Sequence, residues 1–543
     1  AIYGGPKAKT TENFPMYPGG LEIGEDEKKE VMEVLDNKYL FRYYGPSNMP
    51  SKVRAFENAF KEKMGSPYAL ATSSCTGALI SALVACGVGP GDEVLVTGYT
   101  FFASCASIVA AKAIPVICEV DETLTMDPAD MEKKITKATK AIVAVHMRGV
   151  PCNMDAIMAL AEKYNLKVIE DCAQAVGATY KGKFVGTFGD CGCFSFQYHK
   201  TITAGEGGAV LCKDARTYAR VCSYHDTAAC WRPDRFAEQR FEGELFCGSN
   251  FRMGELAGAV MLAQVRKLDR LNALMRDHQR RIIAQIKDTK GIKVRPCNDP
   301  EGDTGICLMF YLDAPEKVGP FCDALKAEGV NAAGVFNSGI PDWHIYAHWK
   351  HVIQKKASSE VCCPWQCPYH EEKAEPVQYA EDMNPKTLEY LGRVVHLDIP
   401  AQMTDEDCDM IAKAINKVAA VLAQRVKNDR HKIKTGEIAL KPVFMTLGKY
   451  GYNEVVWEMA NQTDCPSYGY WVMQGYTTTP EYWDVGAFSQ NHCMMDHIEE
   501  WFFTELGGIQ NAGMAFDKIN IRPYFPADLN SCDISTKCNY GTI

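Results

Sequence analysis

The chain has 543 residues, 47% of them hydrophobic and 23% charged, with a formal net charge of −10. That length exceeds what one hydrophobic core supports, so several units are expected, and the acidic balance offers no basic surface for nucleic acid or an anionic membrane. No apolar run is long enough to span a bilayer, the opening "AIYGGPKAKTTENFPMYPGG" lacks the layout of a secretory signal, and the 23 cysteines are scattered, which together read as a cytoplasmic protein with reduced thiols that works on small molecules.

From about residue 55 to 215 short apolar runs alternate with helical patterns. "EVLVTG", "IPVICEV", "AIVAVH", "KVIEDC", "CGCFSF" and "GAVLC" read as buried strands. "TGALISALVACG", "FFASCASIVAAKA", "DMEKKITKAT" and "DAIMALAEKYN" read as the helices that connect them. The pattern predicts an α/β unit with a mainly parallel sheet covered by helices on both faces, its chemistry at the carboxyl ends of the strands. The stretch "NFRMGELAGAVMLAQVRKLDRLNALMRDHQRRIIAQI" reads as one long helical segment leading to a smaller α/β unit that closes with "DEDCDMIAKAINKVAAVLAQRV". The polar run "KNDRHKIKTGE" is a linker candidate, and beyond it tryptophan and tyrosine are concentrated. The expected domains are 1–270, 271–428 and 429–543. Two cysteine clusters, Cys191 with Cys193 and Cys362, Cys363 with Cys367, lack paired C-x-x-C spacing and read as thiols rather than a zinc site; no metal is expected.

Lys200, in "FSFQYHKTITAGEGGAV", lies between a short apolar strand and a run of glycines. Such a lysine is either a solvated charge or a nucleophile. As a Schiff-base lysine it needs an aldehyde cofactor, a carboxylate for the cofactor's ring nitrogen, donors for a phosphate and an aromatic face. Asp171, at the end of "VIED", is a carboxylate whose burial is costly unless a cation sits beside it, and Gln174 follows on the same segment. Ser73, Ser74 and Thr76 stand where a helix begins and offers free amides to a phosphate; Ser195 is a second hydroxyl, and Phe101 in "GYTFFAS" suits stacking on a planar ring. Each has a plainer reading: a helix cap for Asp171 and for the serines, a core aromatic for Phe101.

In chain order, "GGLEIGEDE", "SSCTGAL", "GVGPGDEVLVTGYTFFA", "VHMRGVPCNMD", "VIEDCAQAVGATYKGKFVGTFGD", "FSFQYHKTITAGEGGAV" and "NFRMGELAGAV" resemble the DegT/DnrJ/StrS family of sugar aminotransferases, fold type I pyridoxal phosphate enzymes, over about residues 15–425. The resemblance implies that Lys200 is the Schiff-base lysine and proton shuttle. It further implies Asp171 on the ring nitrogen, Gln174 on the ring hydroxyl, Phe101 on the ring face, and Cys75, Thr76 and Ser195 on the phosphate with Ser74 close by. Asn250 matches the residue that reaches the phosphate of a neighbouring subunit, so a homodimer is implied. Relatives with histidine in place of this lysine are dehydratases; here the lysine is present and His199 precedes it as a wall residue. Gln197 resembles the branch acting on cyclitols, amino-octulosonates and aromatic precursors. The implied reaction moves an amino group from glutamate or glutamine to the carbonyl of a sugar or sugar-like substrate, with His344 and His348 of "GIPDWHIYAHWKHV" expected near the substrate mouth.

From about residue 435, "YGYWVMQGYTTTPEYWD" and "HIEEWFFTELGG" are similar to the closing part of bacterial α-L-rhamnosidases, inverting glycosidases with an (α/α)6 barrel. Glu481 falls on the catalytic base of that family, Trp483 on a sugar-facing aromatic, and Asn491 with His492 on its Asn-His pair. An inverting glycosidase also needs a second carboxylic acid about 6.5–9.5 Å away and a barrel to hold both groups. The acid motif and most of the barrel helices have no counterpart here, and Pro480 precedes Glu481 where that family has an aromatic. The tail is therefore expected to be inactive by itself, and its apolar stripe of Met494, Met495, Ile498, Trp501, Phe502 and Leu506 needs some other surface. Two alternatives to the aminotransferase remain open from the sequence: a glycoside hydrolase acting through the tail, and a non-catalytic assembly scaffold.

Overall fold

A computed structural model describes residues 5–229, 231, 239–336, 341–358, 363–428, 444–445, 447, 452–462 and 473, and the short strand segments 509–511, 519–521, 537–538 and 541–542. The chain forms two compact units, residues 1–287 with 293–414, and 288–292 with 415–543.

The first unit is built on seven strands: β1 (Tyr68–Thr72), β2 (Glu93–Thr97), β3 (Ile114–Cys118), β4 (Thr139–Val145), β5 (Lys167–Asp171), β6 (Cys191–Ser195) and β7 (Gly208–Cys212). Their order across the sheet is β1-β7-β6-β5-β4-β2-β3. The pairs from β6 to β3 are parallel, while β7 runs against both β1 and β6. Val94, Leu95, Val96, Ile142, Val143, Ala144 and Ile169 are all buried, as a sheet covered on both faces requires. β1, "YALAT", was outside the predicted strands; it is short and alanine-rich and carries a weak strand signal.

Helices begin just past the carboxyl ends of the strands, capped by short polar side chains. Ser74 Oγ accepts from Gly77 N at 3.1 Å ahead of α1 (Cys75–Ala85), and α2 (Ala103–Ala110) follows β2. Asp127 caps α3 (Pro128–Lys134) and Asn153 caps α4 (Met154–Tyr164). The expected helix "DMEKKITKAT" is thus cut short at Lys134; Thr139 instead starts β4, with its hydroxyl on the Glu93 carboxylate at 3.2 Å. The long segment from Asn250 is likewise broken. Phe251 O accepts from Ser73 N at 2.7 Å and Arg252 bridges Thr72, which holds these residues extended against β1. Helix α5 (Glu255–Gln264) starts where the Glu255 carboxylate takes Ser51 Oγ and Lys52 N, and a 3-10 turn at Val265–Lys267 separates it from α6 (Leu268–Ile286). At that break the Gln264 side chain bonds Thr203 N at 3.2 Å and Glu27 at 2.9 Å.

A second sheet, order β8-β9-β11-β10, comprises β8 (Lys293–Val294), β9 (Cys307–Tyr311), β10 (Ala333–Gly334) and β11 (Val394–Asp398), all antiparallel. The closing helix α7 (Asp405–Asn428) begins in a capping box in which Thr404 and Asp407 exchange backbone-to-side-chain bonds.

Besides the end of α7, the described elements of the second unit include the helix Asn453–Ala460 and two antiparallel strand pairs, Ile509–Asn511 with Ile519–Ile521 and Lys537–Cys538 with Gly541–Thr542. Glu481, Trp483, Asn491, His492 and the apolar stripe from Met494 to Leu506 lie outside the described residues, as does Cys362. Among the described residues no helix is long and apolar enough to cross a membrane.

Asp407 also ties the chain's first segment to α7. Its carboxylate accepts from Thr404 N at 2.9 Å, from Thr404 Oγ1 at 2.8 Å and from Thr11, with Lys9 Nζ at 3.3 Å. Burial opposes its charge, but these donors outweigh it and bring the carboxyl down to about 2. A depressed carboxyl stabilises the fold above its unfolded value and loses that contribution as pH falls through the folded one. Asp407→Asn should therefore cost about 2 kcal/mol at neutral pH. Thermal unfolding should show a lower Tm than the parent near pH 7, and the gap should close as the pH drops from about 4 to about 2.

Candidate active site

Strand alternation places Glu170 and Asp171 on opposite faces of β5. Glu170, fully buried, accepts from Gly186 N at 2.7 Å, Phe188 N at 2.7 Å, Gly189 N at 2.8 Å and His146 Nε2 at 3.1 Å. His146 Nδ1 accepts from Cys152 N at 3.0 Å, so the ring is neutral with its proton on Nε2. With Cys172 this is the group of possible metal ligands among the described residues, but its lone pairs are spent on amides and it serves as a brace beneath the sheet.

Asp171, only 4% exposed, receives far less. Ser104 Oγ donates to Oδ2 at 2.7 Å and Ala173 N to Oδ1 at 3.0 Å, and Ser104 is set in turn by Thr100 Oγ1 at 2.7 Å. Turns rather than a helix follow β5, so Asp171 is not a helix cap. It faces a cavity of about 560 Å3 whose wall also contains Ser74, Cys75, Thr76, Phe101, Gln174, Ser195, His199, Lys200 and His344. The candidates from the sequence for the cofactor and substrate site thus meet in one place, apart from Ser73, Asn250 and His348. Asn250 is exposed beside Asp226, away from this wall, and Glu481 lies outside the described residues. His348 does not reach the cavity; it stacks on Phe336 at 5.7 Å with its Nδ1 on Asp342 O.

Lys200 sits in the connection between β6 and β7. Phe196 N bonds Gly207 O at 2.9 Å, Thr203 Oγ1 bonds Phe196 O at 2.9 Å, and Lys200 N closes a turn on Gln197 O at 2.9 Å. Burial in the wall pushes the Lys200 ammonium below its usual range, against the pull of Cys75 and Asp171 and with help from the Arg148 charge. Cys75 itself is held well above the ordinary thiol range by burial and stays a neutral wall group.

Gln174 and His344 form one chain. His344 Nδ1 donates to Asp342 Oδ1 at 2.7 Å, leaving Nε2 to accept from Gln174 Nε2 at 3.2 Å, while Gln174 Oε1 accepts Arg148 N at 3.2 Å. Burial lowers His344 from its ordinary value, which agrees with a neutral ring. The segment carrying it crosses the end of β2, where Thr100 N bonds His344 O at 2.9 Å and Tyr346 N bonds Gly98 O at 3.0 Å. Phe101, 51% exposed, turns its ring toward the cavity with the His344 ring 5.3 Å away. Sequence reasoning missed Ser104, Arg148, Asp342 and Asp398. Ser104 and Asp342 carried no signal of their own, and Arg148 was visible only as a lone cation after an apolar strand.

The family model for the DegT/DnrJ/EryC1/StrS aminotransferases matches residues 21–364. The chain belongs to this family. Two curated relatives are a GDP-perosamine synthase of Escherichia coli O157:H7, 41% identical over 47% of the chain and 66% of that enzyme, and an L-glutamine:2-deoxy-scyllo-inosose aminotransferase of Streptoalloteichus tenebrarius, 41% identical over 49% of the chain and 63% of that enzyme. The chain thus spans slightly under two thirds of each. Among solved structures, 3-amino-5-hydroxybenzoic acid synthase aligns with TM-score 0.63 at 25% identity, covering 76% of this chain and all of that one. A structure from Bacillus subtilis with bound cofactor PMP aligns with TM-score 0.60 at 22% identity over 76% of this chain and 86% of that one, a likeness of fold. Its fold is that of the type I pyridoxal phosphate aminotransferases. A second family model, the bacterial α-L-rhamnosidase six-hairpin glycosidase domain, matches residues 393–506. It starts some forty residues before the point read from the sequence, in β11, which is paired into the first unit.

The wall fits this cofactor. The undersupplied Asp171 carboxylate suits a cationic ring nitrogen, the open face of Phe101 suits a planar ring, and the start of α1 presents amides to a phosphate. The approach there is close: a Cβ on Gly208 would lie 2.5 Å from the Ser74 carbonyl carbon and 2.7 Å from Cys75 N. Gly208→Ala should therefore cost about 1–3 kcal/mol through overpacking and displace the start of α1. The expected result is a lower Tm together with weaker retention of pyridoxal phosphate on dialysis.

Proposed function

We propose that the chain is a cytosolic, homodimeric aminotransferase that moves an amino group from glutamine or glutamate to the carbonyl of a sugar-like or cyclitol substrate. The observation that carries this reading is the meeting of Lys200, its ammonium pushed below its usual range by burial, with the buried and undersupplied Asp171 in one cavity. When bound, the cofactor supplies an aldehyde that exchanges with amines and a ring that accepts electrons from the substrate carbon. Lys200 provides the nucleophilic amine and, once released, holds and returns a proton at Nζ. Asp171, oriented by Ser104, keeps the ring nitrogen protonated. Gln174, fixed between Arg148 N and His344, presents its remaining N–H to the ring hydroxyl, and Phe101 covers the ring face. The Cys75 and Thr76 amides and the Ser195 hydroxyl bind the phosphate, with Ser74 capping the helix behind them.

The glutamine relative supports the donor and a cyclitol acceptor. The apolar residues Leu21, Ile23, Met32, Leu35, Leu40 and Tyr44 are all exposed, and such a surface supports pairing with a second copy, through which Asn250 completes the neighbour's phosphate site. In this reading residues 1–270 form the cofactor domain, 271–428 the smaller domain and 429–543 the appended tail. Glycosidase action through Glu481 is not favoured, since the sequence carries no counterpart of that family's acid motif to serve as the second carboxylic acid.

The purified protein with added pyridoxal phosphate should show a visible absorbance band that disappears on addition of L-glutamine or L-glutamate. Lys200→Ala should give neither the lysine-linked band nor its donor-dependent loss. A parent protein without any band under these conditions would end the aminotransferase reading.

Paired charges on the exposed apolar face offer a separate check. Leu35→Lys with Leu40→Lys should shift the protein toward monomer in light scattering and lower transamination with it; an unchanged dimer would remove this face from the interface.

A further inference from the structure

Arg148 enters the cavity from the turn after β4 in a backbone conformation that L residues rarely adopt, φ 55° and ψ 41°. Both sides of its peptide are anchored: its N–H donates to Gln174 Oε1 at 3.2 Å, and its carbonyl accepts from Arg295 Nη2 at 3.4 Å. The turn is thus fixed, and the guanidinium stands where the main cavity meets a side recess of about 360 Å3 that shares Phe101, Arg148 and His344 with it and adds Trp343 and His396.

The Tyr99 hydroxyl lies beside this cation, but no carboxylate of the chain among the described residues closes on it. Nη1 lies 4.0 Å from Asp398 Oδ1, beyond hydrogen-bond reach, and Asp398 is nearer to His396 Nε2 at 3.0 Å. The carboxylate of the recess, Asp342, is taken by His344. Arg148 Nε is buried with no hydrogen-bond partner. A guanidinium stays charged in any such setting and presents a planar fork that fits a carboxylate. Arg148 and Lys200 line the same cavity, and the Arg148 charge is felt by both Lys200 and His344, so an anion held there shares the cavity with the reacting nitrogen.

We propose that Arg148 is the receptor for the α-carboxylate of the amino donor. An α-amino acid carries its carboxylate two bonds from its nitrogen, so a site that takes the amine at Lys200 needs a cation close by. A sugar ketone brings no such group, and Arg148 thereby favours the donor in one half-reaction while leaving the acceptor free to be neutral. This rests on the aminotransferase reading above.

The test uses the full chain loaded with pyridoxal phosphate and follows single-turnover loss of the visible band. Arg148→Gln should load cofactor normally, yet its half-saturating L-glutamine and L-glutamate concentrations should rise by about 30-fold or more, as removal of one partner of a buried charge pair predicts. The parent should react far better with L-glutamine than with L-glutaminol, its amino-alcohol counterpart without the carboxylate, and Arg148→Gln should lose that preference. A variant that loads cofactor and keeps the parent's donor dependence to within about threefold overturns the assignment. Should Arg148→Gln fail to load cofactor, the parent decides alone: equal reaction with L-glutamine and L-glutaminol removes the carboxylate receptor. A parent that binds cofactor and discriminates between these donors, with a variant that does so equally well, refutes Arg148 while leaving the aminotransferase intact.

Discussion

The Asp171 carboxylate is the constraint around which this site is organised. Two acidic residues in succession end β5, and both are buried. Glu170 is met by three backbone amides and a histidine N–H, whereas Asp171 has one hydroxyl and one amide. An ionised carboxylate removed from water with so little compensation is costly unless a cation joins it. The missing positive charge is what a protonated pyridine nitrogen supplies, so the cofactor is part of the electrostatic balance of the domain. Cofactor binding and stability are then linked, since a ligand that binds only the folded state stabilises it by mass action.

Everything else in the cavity is placed with reference to that carboxylate. The Glu170 brace fixes the turn at 186–189 behind the sheet, and Ser104 on the first turn of α2 orients Asp171 from the front. The return from β6 to β7 holds Lys200 in the same wall. The segment at His344 crosses the end of β2 through backbone bonds, which brings residues far apart in sequence to the mouth of the cavity. Parallel topology makes this possible: the βα connections of the parallel strands open on the same edge.

Much of this was legible in the chain. Glycine-flanked Lys200, the strand-ending Asp171 and the Ser-Thr helix start are local features, and strand alternation and capping chemistry are local rules. What escaped were groups whose roles exist only through distant contacts. Ser104 is an unremarked helix serine until β5 lies beside it. Asp342 matters because His344 needs a partner for one nitrogen, and Arg148 because a left-handed turn aims it inward. The single long helix read from Asn250 onward failed for a similar reason: periodicity continues through the segment, but the pairing of Phe251 and Arg252 with β1 and the diversion of the Gln264 side chain are tertiary effects. The rhamnosidase-like tail was recognisable by its words, yet a glycosidase requires two carboxyl groups across a gap, and one motif cannot supply that.

The central claim is that Lys200 is the lysine to which the cofactor is joined beside Asp171. Borohydride reduction of the full-length protein loaded with pyridoxal phosphate, followed by digestion and mass mapping, tests it most directly. The account predicts a single reduced phosphopyridoxyl adduct on the peptide containing Lys200. A stable adduct on another lysine instead, or none on a protein that retains the cofactor, would contradict it.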